Sequence, residues 1–408
     1  MKLLLLPAYF TPELVSDTPL DDARYEAFAQ AGFDMSLITS NPTRGVSEKD
    51  KNEYKKRTRE RMYDNKMLVR RFPMIDEGKN PVGRAVRYFL CFVKQYFYGK
   101  KEKDTDVIFV VSTPPIQGML AALLKKKLHC KFVYNLQDIF PDTLVGAGLA
   151  KKGGFLWKIG RIIEDYTYKH ADKIIVISQD FKRNIMAKGV PEEKIEIVYN
   201  WVDENAVHPV SKDENRLFDE FGLSRELFTI VYAGNLGNAQ NINIIIDAAK
   251  LLPNVQFAIF GTGGLENDIR RRIEDEKLSN MHLNPLQPIN KVSEVYSLGD
   301  VCVVSCKEGL GGSAMPSKTW TIMSCGRPVL ASFDEGELET IIENNGCGLF
   351  THAENLQEFT DAIQILSGDP DKCKEMGENA RQFILDNLTK AVGTKKYVEI
   401  ISQMAELT

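Results

Sequence analysis

The chain has 408 residues, 43% of them hydrophobic and 26% charged, and a net charge of −4. That length exceeds what one hydrophobic core usually organises, and two domains are expected. The balance excludes a nucleic-acid partner, which calls for a basic excess, and the seven scattered cysteines carry neither a disulfide framework nor a zinc spacing.

Residues 3–6 form a short apolar run stopped by Pro7, too brief for a signal-peptide core or a membrane span. No other stretch supplies about 20 apolar residues, so a cytoplasmic or peripheral protein is expected. The run reads as a buried strand. A helix over 19–31 follows, with Pro19 near its first turn, and then a strand over 35–39. From Arg44 to Arg71 basic residues outnumber acids about two to one, with almost no apolar periodicity before Met67. This segment reads either as a mobile solvated loop or as a basic arm for an anionic membrane or lipid phosphate. Over 81–98, Val82, Val86, Phe89, Leu90, Val93 and Phe97 share one helical face flanked by Arg84, Arg87 and Lys94. Such a stripe buries against a sheet or lies in a membrane interface.

Strands are then predicted at Val107–Val111, Lys131–Leu136 and 173–177, separated by helices over 117–127 and Phe155–His170. Val- and Ile-rich runs spaced by helices indicate parallel strands covered on both faces. The rhythm breaks over 199–213, taken as a hinge, and restarts. Strands are expected at 229–232, 255–260, 281–283, 301–304 and 328–331, with helices between them, including Ile242–Leu251 and 265–276. The predicted architecture is α/β, with two Rossmann-like, doubly wound parallel-sheet domains whose strand ends face a cleft. Residues 1–203 form the first, 204–389 the second, and a terminal helix over 390–408 packs back on the first.

The strongest chemical signal is Gly309-Leu310-Gly311-Gly312-Ser313-Ala314-Met315-Pro316-Ser317-Lys318, which follows a strand and opens a helix. Glycines admit close backbone approach to an anion, and first-turn amides point outward as donors. A lysine in that first turn opposes the helix dipole, and it is read as answering a bound diphosphate. Ala233-Gly234-Asn235-Leu236-Gly237-Asn238-Ala239-Gln240 opens the second domain and can serve phosphate or sugar hydroxyls. Phe260-Gly261-Thr262-Gly263-Gly264 lacks full dinucleotide spacing and reads as a tight packing turn. Glu337 and Glu339, after Gly336, either hold ribose hydroxyls or complement a helix dipole. In the first domain Gln137 and Asp138 leave the end of a strand toward the cleft, and Asp142 is a candidate cap.

Together with Tyr9-Phe10-Thr11-Pro12-Glu13, Ala31-Gly32-Phe33-Asp34, Tyr168-Lys169-His170-Ala171-Asp172-Lys173, Tyr199-Asn200-Trp201-Val202-Asp203 and Ser324-Cys325-Gly326-Arg327-Pro328-Val329, these motifs span most of the chain. They resemble the family-4 retaining glycosyltransferases of GT-B fold, and most of all the N-acetylfucosamine-transferase-like branch that builds surface polysaccharides, capsule included. The resemblance implies an N-acetylated UDP-sugar donor and a polyprenyl-diphosphate-linked or other saccharide acceptor at the inner membrane face. It also implies retention, without metal or cofactor. Ser317 and Lys318 would meet the diphosphate, with Met315 and Pro316 lining it, and Glu337 the ribose. The backbone at Leu286 and Gln287 would meet the base, and Asp138 would lie near the transferred sugar or acceptor, which makes Asp138 and Lys318 the expected catalytic residues. Three departures stand out. Ser313 and Thr321 replace two family glutamates, Asn235 and Gln240 replace the usual Arg and Lys, and Val15-Ser16-Asp17 replaces a Gly-Gly pair beside the acceptor pocket. Rival readings are a nucleotide-sugar epimerase of the same fold and a non-catalytic nucleotide-binding scaffold subunit.

Overall fold

The computed structural model describes residues 1–13, 18–76, 81–146, 148, 150–311 and 315–406, and the side chains of most of these. Val15-Ser16-Asp17 and Ser313 lie outside the described residues. The chain divides into two compact units, Met1–Tyr199 with Gly393–Thr408, and Asn200–Val392.

The first unit holds an eight-stranded sheet. Its strands are β1 Lys2–Leu5, β2 Asp34–Ser40, β3 Arg59–Met62, β4 Met67–Phe72, β5 Val107–Val111, β6 Lys131–Leu136, β7 Lys173–Val176 and β8 Ile195–Ile197. The order is β3-β4-β2-β1-β5-β6-β7-β8. All pairs are parallel except the edge hairpin of β3 and β4. Leu3, Leu4 and Leu5 are buried between Met35, Leu37 and Ile108, Phe109 of their neighbours, as expected of an apolar run with helices over both faces.

The second unit repeats the plan with β9 Thr229–Asn235, β10 Gln256–Thr262, β11 Met281–Asn284, β12 Val301–Ser305, β13 Val329–Phe333 and β14 Gly348–His352. The order β11-β10-β9-β12-β13-β14 is entirely parallel. It is the doubly wound arrangement in which chain direction across the sheet reverses between β9 and β12. One core holds this unit, with Ile244, Ile245 and Ile246 of the Ile242–Leu251 helix packed on Phe257, Ile259 and Val303 of the sheet.

Three expectations are corrected. The basic stretch 44–71 is not a loop. It folds as the helix Glu48–Lys56 and the β3–β4 hairpin, turned by Tyr63, Asp64 and Asn65 in the left-handed region. Much of its charge is paired within the fold: Arg57 with Glu53, Arg70 with Glu102, and Arg71 with Glu60. Periodicity missed it because β3 alternates charged residues at a sheet edge, where one face is solvated.

Burial of the 81–98 stripe is also overturned. The helix Pro81–Gly99 buries Arg87, Cys91, Gln95 and Gly99, and leaves Val86, Phe89 and Phe97 exposed, with Leu90 and Val93 half-buried. The reason is hydrogen bonding. Gln95 donates to the carbonyls of Pro7 and Ile38, and Arg87 to Ser40 Oγ and Thr43 Oγ1, which closes off strand-end acceptors that an apolar face would leave unpaired.

The domain boundary falls after Tyr199 rather than Asp203, because Val202 bridges Thr389 and donates to Leu388 O inside the second unit. The terminal helix Lys390–Glu406 joins the first unit from Gly393. There Tyr397 is fully buried and donates to Asn135 Oδ1 at 3.0 Å.

Candidate active site

In a doubly wound sheet the crevice for ligands opens at the carboxyl ends of the strands, where winding reverses. In the second unit that point lies between β9 and β12, and Lys318 reaches it. Its Nζ donates to Tyr232 Oη at 3.0 Å and stands 4.2 Å from the centre of the Tyr232 ring. Tyr232 is fixed in turn, donating to Asn235 O at 2.8 Å. A Cβ on Gly234 would stand 3.1 Å from the same Nζ, and that glycine has φ +140°. A side chain at 234 would therefore crowd the ammonium from a backbone position that favours glycine.

Burial lowers the Lys318 pKa to about 8. Among the described residues no carboxylate pairs with this ammonium, and one of its three donors is used on a neutral phenol. A half-buried cation held so, on an aromatic face and a strand end, is a site for an anion.

The surrounding loops are braced by backbone. Leu236 N donates to Thr262 O and Leu265 N to Leu236 O. A Cβ on Gly261 would fall 2.5 Å from Gly234 O, and one on Gly263 would fall 2.5 Å from Leu236 O. The 260–264 glycines are therefore a packing turn, whose effect is to hold the Gly234–Asn235 strand end in place. Asp334, just after β13, accepts from Gly309 N at 3.0 Å and Gly311 N at 2.7 Å. That grip fixes the entry to the glycine-rich loop, whose residues 312–314 lie outside the described set.

Around this point, Asn235 is exposed and Gln240 half-buried, with the carboxamide Oε1 of Gln240 buried and without a hydrogen-bond partner. The Asn235 and Gln240 side chains converge over Gly237, where a Cβ would meet Asn235 Nδ2 at 2.7 Å and Gln240 Oε1 at 2.9 Å. Ser317 is exposed at the N-cap of the helix Lys318–Ser324, and its side chain makes no capping bond. The helix's backbone ladder begins with Thr319 N to Pro316 O, so the Ser317 and Lys318 amides precede it. Met315 is buried and Pro316 half-buried. Glu337, the first residue of the helix Glu337–Asn344 after β13, is buried, and Glu339, two residues on, is half-buried. Leu286 is exposed and Gln287 half-buried beyond β11, at the sheet's far edge.

In the first unit Asp138 is exposed beyond the end of β6. Ser112 Oγ accepts from the amides of both Gln137 and Asp138, at 2.9 and 3.2 Å. Gln137 Nε2 donates to Asn135 Oδ1, the atom that also receives Tyr397. Asp138 borders a cavity of about 490 Å³ walled by Phe89, Leu144 and Ile163. Asp142 is no simple cap: Lys188 bonds both it and buried Glu164, at 2.7 and 3.0 Å, and so ties the loop after Asp138 to the helix Phe155–His170. Glu13 of the 9–13 motif is likewise internal, accepting from the amides of Thr43 and Arg44, and burial raises its pKa.

Tyr232, Asp334 and Tyr397 were not singled out from the sequence. The signal for Tyr232 was a hydroxyl-bearing residue within an otherwise apolar strand, two residues before a glycine. Asp334 and Tyr397 act through residues 23 and 262 positions away, and spacing does not reveal that.

Residues 25–206 match the family model Glycosyltransferase Family 4, and residues 213–383 match Glycosyl transferases group 1. The probable glycosyltransferase WbjE of Pseudomonas aeruginosa is 26% identical over 281 residues, covering 68% of this chain and 70% of the relative. The putative colanic acid biosynthesis glycosyl transferase WcaI of Escherichia coli K12 is 26% identical over 336 residues, covering 80% and 82%. The crystal structure of Anabaena HepE in complex with UDP is similar at TM-score 0.74 and 16% identity, covering 99% of this chain and 100% of that one. Sucrose-phosphate synthase from Thermosynechococcus elongatus is similar at TM-score 0.78 and 14% identity, covering 100% of each. These likenesses agree with the two parallel-sheet units of the GT-B fold. With one family model matched by each unit, the chain belongs to the group 1/family 4 glycosyltransferases.

Proposed function

We propose that this glycosyltransferase takes a UDP-sugar, N-acetylated on the sequence resemblance, and transfers the sugar with retention to a lipid-linked saccharide in surface-polysaccharide assembly. The observation that carries the donor half is the Lys318 ammonium, half-buried at the switch point with a neutral phenol as its partner. HepE's complex with UDP, on the same fold, supports UDP as the nucleotide. The name of WcaI supports a polysaccharide product.

In this reading the diphosphate lies beside Lys318, with the Ser317 hydroxyl and the Ser317 and Lys318 amides on its oxygens and the Asn235 and Gln240 carboxamides beyond them. Glu337 takes the ribose hydroxyls, and the backbone at Leu286 and Gln287 meets the base. As the glycosidic bond to the β-phosphate breaks, negative charge grows on the leaving diphosphate. Lys318 stabilises that charge more in the transition state than in the ground state, the condition for a rate effect. The leaving phosphate oxygen takes the acceptor hydroxyl's proton on the same face, so configuration is retained. A fixed ammonium serves the charge that a metal would otherwise meet, and turnover is expected to survive chelation. Asp138 borders the transferred sugar or acceptor.

Calorimetry with UDP on wild type and Lys318→Ala, followed by donor turnover with and without lipid-linked acceptor, tests the proposal. Expected are UDP binding lost in the variant and turnover that requires acceptor. UDP binding unaffected by the substitution would refute the diphosphate assignment. Product released without acceptor would point to the epimerase reading.

A further inference from the structure

We propose that the helices Pro81–Gly99 and Phe155–His170 of the first unit form one surface that docks on an anionic lipid bilayer. The inference rests on the lipid-linked-acceptor reading for its purpose, but not for its test. Neither helix turns its apolar side inward. The first buries Arg87 and Gln95 against strand ends and leaves Phe89 58% and Phe97 53% exposed. The second buries Gly160, Glu164 and Thr167 and leaves Phe155 77%, Ile159 40% and Ile162 65% exposed, a stripe at spacings of four and three.

The two helices border one apolar cavity, walled by Phe89 from the first and half-buried Ile163 from the second, beside the exposed stripe, and bordered by Asp138. Single exposed apolar residues are ordinary, whereas outward apolar stripes on two helices that flank the same helix, Ile116–Leu128, and open on one apolar cavity mark an interaction surface.

Charge selects the occupant. Residues 81–103 carry six basic side chains against one acid, on a chain whose net charge is −4, and all but the buried Arg87 reach the surface. That acid, Glu102, is already bound to Lys2 and Arg70. Lys100 sits 4.4 Å from the Phe97 ring centre and Lys101 5.9 Å from that of Tyr98, so ammonium groups border the exposed rings. Beside the second helix, Lys151, Lys152 and Lys158 are exposed, while Glu164 and Asp165 are both paired with Arg161. Apolar side chains framed by cations fit a bilayer with anionic headgroups. A second copy of the chain would bring like charge against like.

The test is co-sedimentation of the full chain with phosphatidylcholine vesicles, with and without phosphatidylglycerol. Wild type should pellet at least about tenfold more with the anionic vesicles, and less as salt rises. The emission of Trp157, which lies in the second helix, should shift to the blue on binding. Phe155→Ser/Ile159→Ser/Ile162→Ser and, separately, Phe89→Ser should reduce pelleting to background, and Lys151→Glu/Lys152→Glu/Lys158→Glu should abolish the preference for anionic lipid. UDP affinity should stay unchanged in all three. Wild type that ignores both vesicle types, or serine variants that pellet like wild type, would overturn the proposal. So would a concentration-dependent dimer that the serine substitutions abolish, which would assign the face to a second copy. Failure of wild type to bind UDP would instead sink the donor reading and leave this one standing.

Discussion

Replacing Lys318 with methionine should make the unligated protein more stable while disabling it. Burial lowers this ammonium from the ordinary 10.5 to about 8. At about 1.4 kcal/mol for each tenfold change in proton affinity, the charged form carries a penalty of about 3 kcal/mol at neutral pH. The hydrogen bond to Tyr232 and the ring contact return about 1–2 kcal/mol of that when lost. A net gain of about 1 kcal/mol is left for Lys318→Met, whose chain is similar in length and needs no solvation. The pH dependence has a definite sign. A lysine whose folded pKa is depressed destabilises the fold fully below about pH 8, where both states are protonated. Stability then rises between about pH 8 and 10.5, where only the unfolded chain holds the proton. Lys318→Met should remove that rise. Ligand binding has the opposite slope: UDP affinity should fall as pH passes 8, by up to about tenfold per unit, and at pH 7 the variant should bind UDP about 10²-fold more weakly. Thermal unfolding of the ligand-free proteins across pH, paired with calorimetry in UDP, measures both. A variant that melts earlier than wild type and binds UDP within threefold of it would refute the reasoning, because the lysine would then be structural.

Three further outcomes follow from the same geometry. Gly234→Ala introduces a Cβ 3.1 Å from Lys318 Nζ at φ +140°. It should weaken UDP binding and lower stability by about 1–3 kcal/mol, whereas alanine at Gly264, which has open space, should do neither. Asp334→Ala releases the Gly309 and Gly311 amides. Donor KM should rise severalfold with a smaller change in kcat, read by steady-state kinetics at saturating acceptor. Tyr397→Phe removes the bond to Asn135 and should cost about 1 kcal/mol in chemical denaturation. If Asn135 holds the Asp138 loop through Gln137, it should also lower kcat with UDP affinity intact.

What could be read from the chain followed from local signals. Val107–Val111 and Lys131–Leu136 emerged at their observed bounds because central parallel strands are continuous apolar runs flanked by turns. β3, β4, β8 and β14 escaped: β3, β8 and β14 are edge strands with charged or polar residues on the solvated side, and β4 is interior but interrupted by Arg70 and Arg71, whose charges are met by Glu102 and Glu60 in the fold. Pro81–Gly99 was recognisable as an amphipathic helix. Its outward apolar face was not, because which face is buried depends on strand-end carbonyls and hydroxyls supplied by residues 7, 38, 40 and 43.

The linear order of residues by itself determined two doubly wound units, the resemblance to a transferase family, and the prominence of Lys318 after a glycine-rich stretch. These are encoded in periodicity and in motifs a few residues long. Only the tertiary structure decided that this ammonium rests on Tyr232, that Asp334 grips the glycine loop, that Tyr397 braces Asn135, and that two helices show their oily sides to solvent. Each of those depends on groups 23 to 262 positions apart or on which side of a helix finds hydrogen-bond acceptors. Such pairings are fixed when the sheet closes, not by any neighbour along the chain.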